Sequence, residues 1–312
     1  MSSSREPQPK RILLFGATGV IGVYILDALI QTQPHFEKVG IFTSPGTVEQ
    51  KATQIQSLKD QGVEVIAGYD TVVSAVGRNV IAAQIDLIRW AEDTPSITYF
   101  YPSEYGTDIE YGPQSATEKP HQLKLKVRSY IRSSVKRLKY TYVVTGPYAD
   151  LYIGKMDSEK AKKIGHYDAQ TKEAILIGSG EDRVSLTTMA DVGKFVVASL
   201  QHPEVSVNRA LKVHSFTTTP NEILAEFQRQ TGEIWKVAYT PLNELKKLEQ
   251  EAWAVGDPLA TVYTLRRIWT EGGTLYDKTD NEAIGVVVTD TLGSMVKRAI
   301  EKETSAFRSG EL

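Results

Sequence analysis

The segment Gly16-Ala-Thr-Gly19-Val-Ile-Gly22 has the residue types and spacing that bring a backbone against a pyrophosphate. Glycines there allow a tight turn and close helix-to-strand packing, and a following helix offers unpaired N–H groups and a partial positive charge. Thr18, Val20 and Ile21 complete this candidate dinucleotide loop. Roughly twenty residues further on, where an acid usually holds the ribose hydroxyls of NAD, the chain instead has Thr43, Ser44 and Thr47, with Lys51 beyond. Hydroxyls and a lysine suit a 2′-phosphate, so the reading is NADP(H) rather than NAD. The alternative is an ordinary hydroxyl-rich loop with a solvated lysine.

Lys124 is the candidate proton donor. It adjoins the apolar positions Leu123, Val127 and Ile131, which would leave its ammonium partly desolvated at a sheet edge. Desolvation and a nearby cofactor charge would tune it from roughly 10.4, fitting it to protonate a carbonyl or phenolate oxygen. Otherwise it is a surface lysine on a basic helix. Glu104, in Pro102-Ser-Glu-Tyr-Gly106, either orients Lys124, acts as acid or base, or fixes its own loop. Tyr101, Tyr105 and Tyr148 either wall a nicotinamide and an aromatic substrate or simply pack.

Other chemistries lack their residues. The chain has no Tyr-x-x-x-Lys pair and no Gly-x-Ser-x-Gly, and its five histidines show no ligand spacing, so no metal is expected. Zero cysteines exclude disulfides, thiolate zinc sites and a cysteine nucleophile.

The elements that must position these groups follow from periodicity. Residues 10–15 form an apolar run suited to a parallel strand covered on both faces, and 20–30 read as an apolar helix. A strand at 39–43, a helix at 48–61 and a strand at 63–67 continue a βαβαβ pattern. A second strand pattern at 71–77 follows after only Tyr69 and Asp70, too short for a parallel crossover of about ten residues or more. A helix at 79–92, with Val80, Ile81, Ile85, Ile88 and Trp90 to one side, a strand at 97–101 and a long loop at 102–113 come next. A helix at 123–138 and a strand at 140–144 follow. Thr188 and Asp191 have the spacing of a capping box. Thr219-Pro220-Asn-Glu222 is a stronger helix start, and further helices are expected from Thr240-Pro241 and over 289–303.

With the glycine loop, Ser74-Ala-Val-Gly-Arg-Asn79 and the tract around Pro102-Ser-Glu-Tyr-Gly106 in view, the chain resembles the NmrA-like and isoflavone-reductase-like family, atypical short-chain dehydrogenases. The likeness covers roughly residues 10–305 and is strongest to fungal members of secondary metabolism. It implies an α/β fold, a doubly wound parallel Rossmann sheet with a smaller carboxyl-terminal α+β substrate region. It gives Lys124, which matches the spacing of a lysine before an Ile-Arg pair in plant reductases, a place beside the nicotinamide. It also implies that Ser74, Val76, Gly77, Asn79, Pro102, Ser103, Pro147 and Tyr148 run along the cofactor.

The expected organisation is a leader at 1–9, a dinucleotide-binding domain at 10–155 to which 185–215 return, and a substrate region at 156–184 and 216–312. With 36 basic and 38 acidic residues, a net charge of −2 and 41% apolar residues, no large electrostatic bias favours nucleic acid or anionic membranes. No signal peptide or spanning segment is evident, and a cytoplasmic monomer or homodimer is expected. The expected function is NADP(H)-dependent reduction of a small aromatic or alkaloid-like molecule. Its rivals are a redox-neutral enzyme that retains NADP, such as an iminium cyclase, and a non-catalytic NADP-sensing regulator.

Overall fold

A computed structural model of the chain describes residues 7–32, 35–42, 52–61, 63 and 69–309. The amino-terminal half alternates β1 (Arg11–Phe15), α1 (Gly22–Gln31), β2 (Lys38–Phe42), α2 (Ala52–Asp60), β3 (Thr71–Ser74), α3 (Gln84–Asp93), β4 (Tyr99–Tyr101), α4 (Gln122–Ser134) and β5 (Lys139–Val144). Then follow β6 (His166–Asp168), β7 (Glu173–Ile177), β8 (Val184–Leu186), α5 (Met189–Gln201), β9 (Arg209–Lys212) and β10 (Phe216–Thr218). The chain ends in α6 (Pro220–Thr231), β11 (Lys236–Thr240), α7 (Leu242–Val255), α8 (Ala260–Thr270) and α9 (Leu292–Ser309).

Among the described residues, β2-β1-β3-β4-β5-β9 form one parallel sheet in that order. Apolar residues alternate to both faces. Ile12, Leu14, Val39 and Ile41 pack with Ile25 and Leu29 of α1 and Phe195 of α5. Val72, Phe100 and Val144 pack on the other side with Ile88 of α3 and Ile131 of α4. This is a doubly wound α/β sheet, whose strand order reverses between β1 and β3. Open sheets of this kind form a ligand crevice outside the carboxyl ends of the strands at that reversal.

Of the two crowded strand patterns at 63–77, the second is present as β3. The chain leaves β2, passes through α2 on the face that buries Leu58 and Val63, and enters the sheet as β3 on the far side of β1. Residues 64–68, most of the expected strand at 63–67, lie outside the described residues.

Two helix readings need correction. Arg78–Ala83 is a 3-10 segment with Val80 off helical geometry, and α3 starts only at Gln84. Val80 and Trp90 are exposed, so only Ile81 and Ile88 of the expected stripe are buried. Likewise Leu123 is exposed on α4, whose buried face is Val127, Arg128 and Ile131.

The carboxyl-terminal half adds a mixed sheet, β7 lying antiparallel to β6 and parallel to β11, and an antiparallel pair of β8 and β10. Thr219 and Glu222 make both bonds of a capping box at α6. At α5 only the Thr188 side of the box forms, because the shorter Asp191 turns to Lys194 and Ser215 instead.

Candidate active site

The turn between β1 and α1 is built as a cradle. Gly16 has φ +78°, and a Cβ there would stand 2.5 Å from the Ala75 carbonyl oxygen at the exit of β3. A Cβ on Gly22 would stand 1.9 Å from the Gly16 carbonyl oxygen. Neither position admits a side chain, so this turn brings three segments of bare backbone together. Gly19 N–H donates to Gly16 O at 2.9 Å, closing it. No side chain caps α1 and no acid stands in its first turn, so its positive end is left for an anion. Val20 is exposed at the mouth, whereas Ile21 buries its side chain in the core.

Past β3, Val76 is half-buried and Gly77, Arg78 and Asn79 are exposed. Ser74 differs from the expectation: it is fully buried, its hydroxyl without a partner among the described residues. Its side chain faces the interior, so it does not line the crevice. Ser103 ties the neighbouring strand exits together, its hydroxyl donating to Val76 O at 2.9 Å and its N–H to Gln84 Oε1 at 2.7 Å. Pro102 and Pro147 are buried in the same wall, and the Pro147 carbonyl accepts from Thr187 N–H at 3.0 Å. Thr43, Ser44 and Lys51 lie outside the described residues.

The other end of the crevice is set by α4. Lys124 and Arg128 are one turn apart and share a face. Arg128 is 1% exposed and grips the 2% exposed Glu104 with two bonds, Nε to Oε1 at 2.9 Å and Nη2 to Oε2 at 3.1 Å. Its Nη1 reaches Glu110 at 2.7 Å and Asp108 at 3.8 Å, and its guanidinium lies 4.4 Å from the Tyr142 ring centroid. Both Glu104 oxygens are therefore committed, and the loop at 102–113 is stapled to α4. From that anchored loop the Glu104 carbonyl accepts from Lys124 Nζ. Burial is the largest influence on Lys124 and lowers its pKa to about 8, with Arg78 and Arg128 adding to the fall and the Glu104 carboxylate opposing it.

Tyr148 donates to the Tyr105 carbonyl at 2.5 Å, and burial pushes its phenol well above the ordinary range. Tyr105 is buried, its hydroxyl unpaired among the described residues. Tyr101 does not reach the crevice. It is 0% exposed on the α5 side of β4, beside Thr141 and Ser199, where burial raises its phenol to about 12. In a run of three aromatic residues no alternation tells which face each takes, and this one serves the core.

Arg78 was not singled out by motif. It makes no hydrogen bond or ion pair with any described residue, yet its charge couples to Tyr148 and Lys124. Arg78 is exposed and Lys124 and Tyr148 are half-buried, but the surrounding protein disfavours the charged form of each. The 3-10 segment that Arg78 opens packs against α4, which carries Lys124, so the two cations approach from neighbouring elements. The usable signal in the sequence is a cation directly after the glycine that ends a buried strand.

The carboxyl-terminal half closes on the same loop. Trp269 of α8 donates to Thr107 Oγ1 at 2.8 Å, and Lys212 at the end of β9 meets Asp108 at 3.0 Å. A cavity of about 330 Å³ opens beside Lys212, lined also by Tyr111 and Tyr276. No group of three or more His, Asp or Glu placed to hold a metal occurs among the described residues. No helix among them is long and apolar enough to cross a membrane.

The model of the NmrA-like family matches residues 8–265. The chain belongs to that family. This NmrA-like chain is 29% identical over 267 residues to oxidoreductase aprR of Aspergillus flavus, covering 83% of this chain and 86% of that one. It is 27% identical over 256 residues to phenylcoumaran benzylic ether reductase PT1 of Pinus taeda, covering 76% and 80%. Its fold superposes on the leucoanthocyanidin reductase–NADPH binary complex from Vitis vinifera with a TM-score of 0.74 at 20% identity, covering 93% of this chain and 99% of that one.

Proposed function

We propose that this chain is an NADP(H)-dependent reductase of a small aromatic molecule, with Lys124 as the catalytic proton donor. The observation that carries the reading is the glycine cradle, closed against the exit of β3, together with a half-buried Lys124 held by the Glu104 carbonyl just past the end of the neighbouring strand β4, its pKa lowered to about 8. The relatives' names agree in chemistry, being reductases of aromatic compounds and an oxidoreductase, and the leucoanthocyanidin reductase was solved with NADPH.

The cradle fits a dinucleotide, because its crowded glycines and uncapped, acid-free helix end accept a phosphate and nothing bulkier. Gly16, Gly19 and Gly22 would hold the pyrophosphate, with Thr18 and the backbone of Val20 and Ile21 beside it. Gly77 and Asn79 would border the next stretch, and Tyr148 the nicotinamide end. Thr43, Ser44 and Lys51 remain the proposed 2′-phosphate contacts. The bound cofactor supplies a hydride to an electrophilic carbon of the substrate.

The rest is done by this chain. As the substrate carbon is reduced, its π electron pair moves onto oxygen, and the Lys124 ammonium passes a proton to that oxygen and later regains one from water. Glu104 and Arg128 are positioning residues: they hold the carbonyl against which Lys124 is oriented. A pKa of about 8 leaves most of the lysine protonated near neutrality and still acidic enough to donate.

The test is Lys124→Ala, assayed by NADPH oxidation with a panel of electrophilic aromatic compounds and by calorimetry with NADPH. Turnover is expected to fall by about 10² or more while nucleotide affinity stays within about threefold. The wild-type rate should decline as pH rises through about 8, because the protonated donor is lost. Undiminished turnover in the variant, or no binding of NADPH to the parent, would overturn the reading.

A further inference from the structure

The crevice carries more positive charge than proton donation requires. Arg78 is the first residue of the 3-10 segment after β3 and has no hydrogen bond or ion pair with a described residue. Lys124 approaches from α4 and bonds only a carbonyl. The carboxylate whose charge acts on Lys124, that of Glu104, has both oxygens bound by Arg128. The charged or titratable groups around Lys124 are Glu104, Arg78, Arg128 and His121, and the one coupled to Arg78 besides Lys124 is Tyr148. Two cations thus share one cleft and repel each other, with no free carboxylate among these neighbours to compensate.

A protein keeps such an arrangement stable only at a cost, and an anion brought into the cleft removes it. The anion in question is not the pyrophosphate. The 3-10 segment that Arg78 opens packs against α4, the helix that carries Lys124, whereas the pyrophosphate belongs at the uncapped end of α1. We infer that Arg78 and Lys124 together form an oxyanion site, with Arg78 fixing the substrate oxygen on which charge develops and Lys124 protonating it. This deepens the proposed function and rests on it for the source of the charge. It also narrows the substrate class: the reacting carbon is that of a carbonyl or is conjugated to one, so that the displaced π pair has an oxygen to rest on. In balance, the hydride adds to carbon, the nicotinamide is oxidised, and the displaced electron pair rests on an oxygen held by the guanidinium until the ammonium of Lys124 donates its proton.

The oxyanion site is testable on the protein without nucleotide or turnover. The probe is 4-nitrophenol, whose neutral and ionised forms differ in absorbance, with 4-nitroanisole as its uncharged counterpart. The wild-type chain is expected to bind the phenolate more tightly than the neutral phenol, so that the bound probe ionises at lower pH than the free one. Arg78→Gln should weaken phenolate binding about tenfold, the effect of one charge-assisted contact. The same variant should bind 4-nitroanisole and NADPH as the parent does, and Arg78→Lys should recover part of the loss. Its melting temperature should hold, since no partner of Arg78 is removed.

Equal phenolate affinity in Arg78→Gln overturns the proposal, as does a parent chain that binds no phenolate. A fall in NADPH affinity with phenolate binding unchanged would assign Arg78 to the nucleotide instead. These outcomes are read apart from the reductase assignment, which stands or falls on NADPH binding and on Lys124→Ala.

Discussion

Two buried arginines divide the molecule. Arg128, under the sheet edge, is 1% exposed and surrounded by carboxylates, gripping Glu104 with two bonds, meeting Glu110 at 2.7 Å and facing Asp108 at 3.8 Å. Arg266, in the carboxyl-terminal half, is 2% exposed and has no carboxylate at all among the described residues. It lies 3.9 Å from the Tyr152 ring centroid and makes two long bonds, to the carbonyls of Leu151 and Tyr152 at 3.3 and 3.4 Å. The same half buries Glu303, 9% exposed, with one oxygen accepting from Ala169 N–H and the other unpaired. Charge is thus closed off where the loop that orients Lys124 must be rigid, and left open at two buried positions beyond the site, Arg266 and Glu303. Paired ions resist pH but fail badly when one partner is removed; solitary ions do the reverse.

The largest expected effect on stability comes from breaking the closed network. Glu104→Gln keeps the shape but leaves an amide NH₂ facing the Arg128 Nη2 donor, so a buried guanidinium loses half of its bidentate grip. Removal of one partner from a buried pair costs about 3–5 kcal/mol. A loss near the lower end is expected in urea denaturation, since Glu110 and Asp108 remain. The variant should also lose turnover, because the carbonyl that orients Lys124 is no longer anchored. A loss below about 1 kcal/mol would show that the network is not the anchor.

Glu303 gives the next effect, with the opposite dependence on conditions. Burial, reinforced by the neighbouring Asp168, raises its pKa from 4.5 to about 7, against the pull of Lys155 and Lys172. A carboxyl whose folded pKa lies above its unfolded one favours folding when protonated. That contribution is complete below about 4.5 and lost as pH rises to about 7. Glu303→Gln retains an acceptor for Ala169 N–H and cannot ionise. It should match the parent at pH about 4 and exceed it by about 2–3 kcal/mol at pH about 8. A constant difference between the two across that range would remove Glu303 from the set of solitary ions.

What the chain's order disclosed, and what it concealed, follows the same division. The glycine cradle, the parallel strands and the Thr219–Glu222 capping box are local: a turn, an apolar run or a cap is specified by residues within a few positions of each other. The commitment of Glu104 is not local, because its partner Arg128 lies 24 residues away and no spacing rule joins a loop carboxylate to the buried face of a later helix. The sequence leaves Tyr101 open between crevice and core for a related reason. Tyr99, Phe100 and Tyr101 are equally apolar, so only the packing of α5 decides that Tyr101 faces inward. Arg78 carries no motif; the cleft singles it out.

Arg266 gives the smallest effect and the sharpest comparison, because the next residue is its control. Arg267, on the same helix, pairs with Glu118 at 2.7 Å, Glu249 at 2.6 Å and Glu271 at 3.0 Å. Arg266 instead must offset the desolvation of a whole guanidinium with aromatic faces, worth about 2 kcal/mol when desolvated, and two long bonds. Its Nε and Nη1 remain unsatisfied. Methionine replaces the stem, sets a polarisable sulfur against Tyr152 and removes the buried charge. Arg266→Met should therefore be neutral or stabilising by about 1 kcal/mol, whereas Arg266→Lys, which keeps a strongly hydrated charge without the flat stacking surface, should destabilise. Arg267→Met should destabilise as well, because Glu118 and Glu249 lose their ion pair with it, while Glu271 keeps Lys246 at 2.7 Å. If Arg266→Met instead costs as much as Arg267→Met, the aromatic cage satisfies its guanidinium as fully as carboxylates satisfy Arg128, and the contrast between the two buried arginines dissolves.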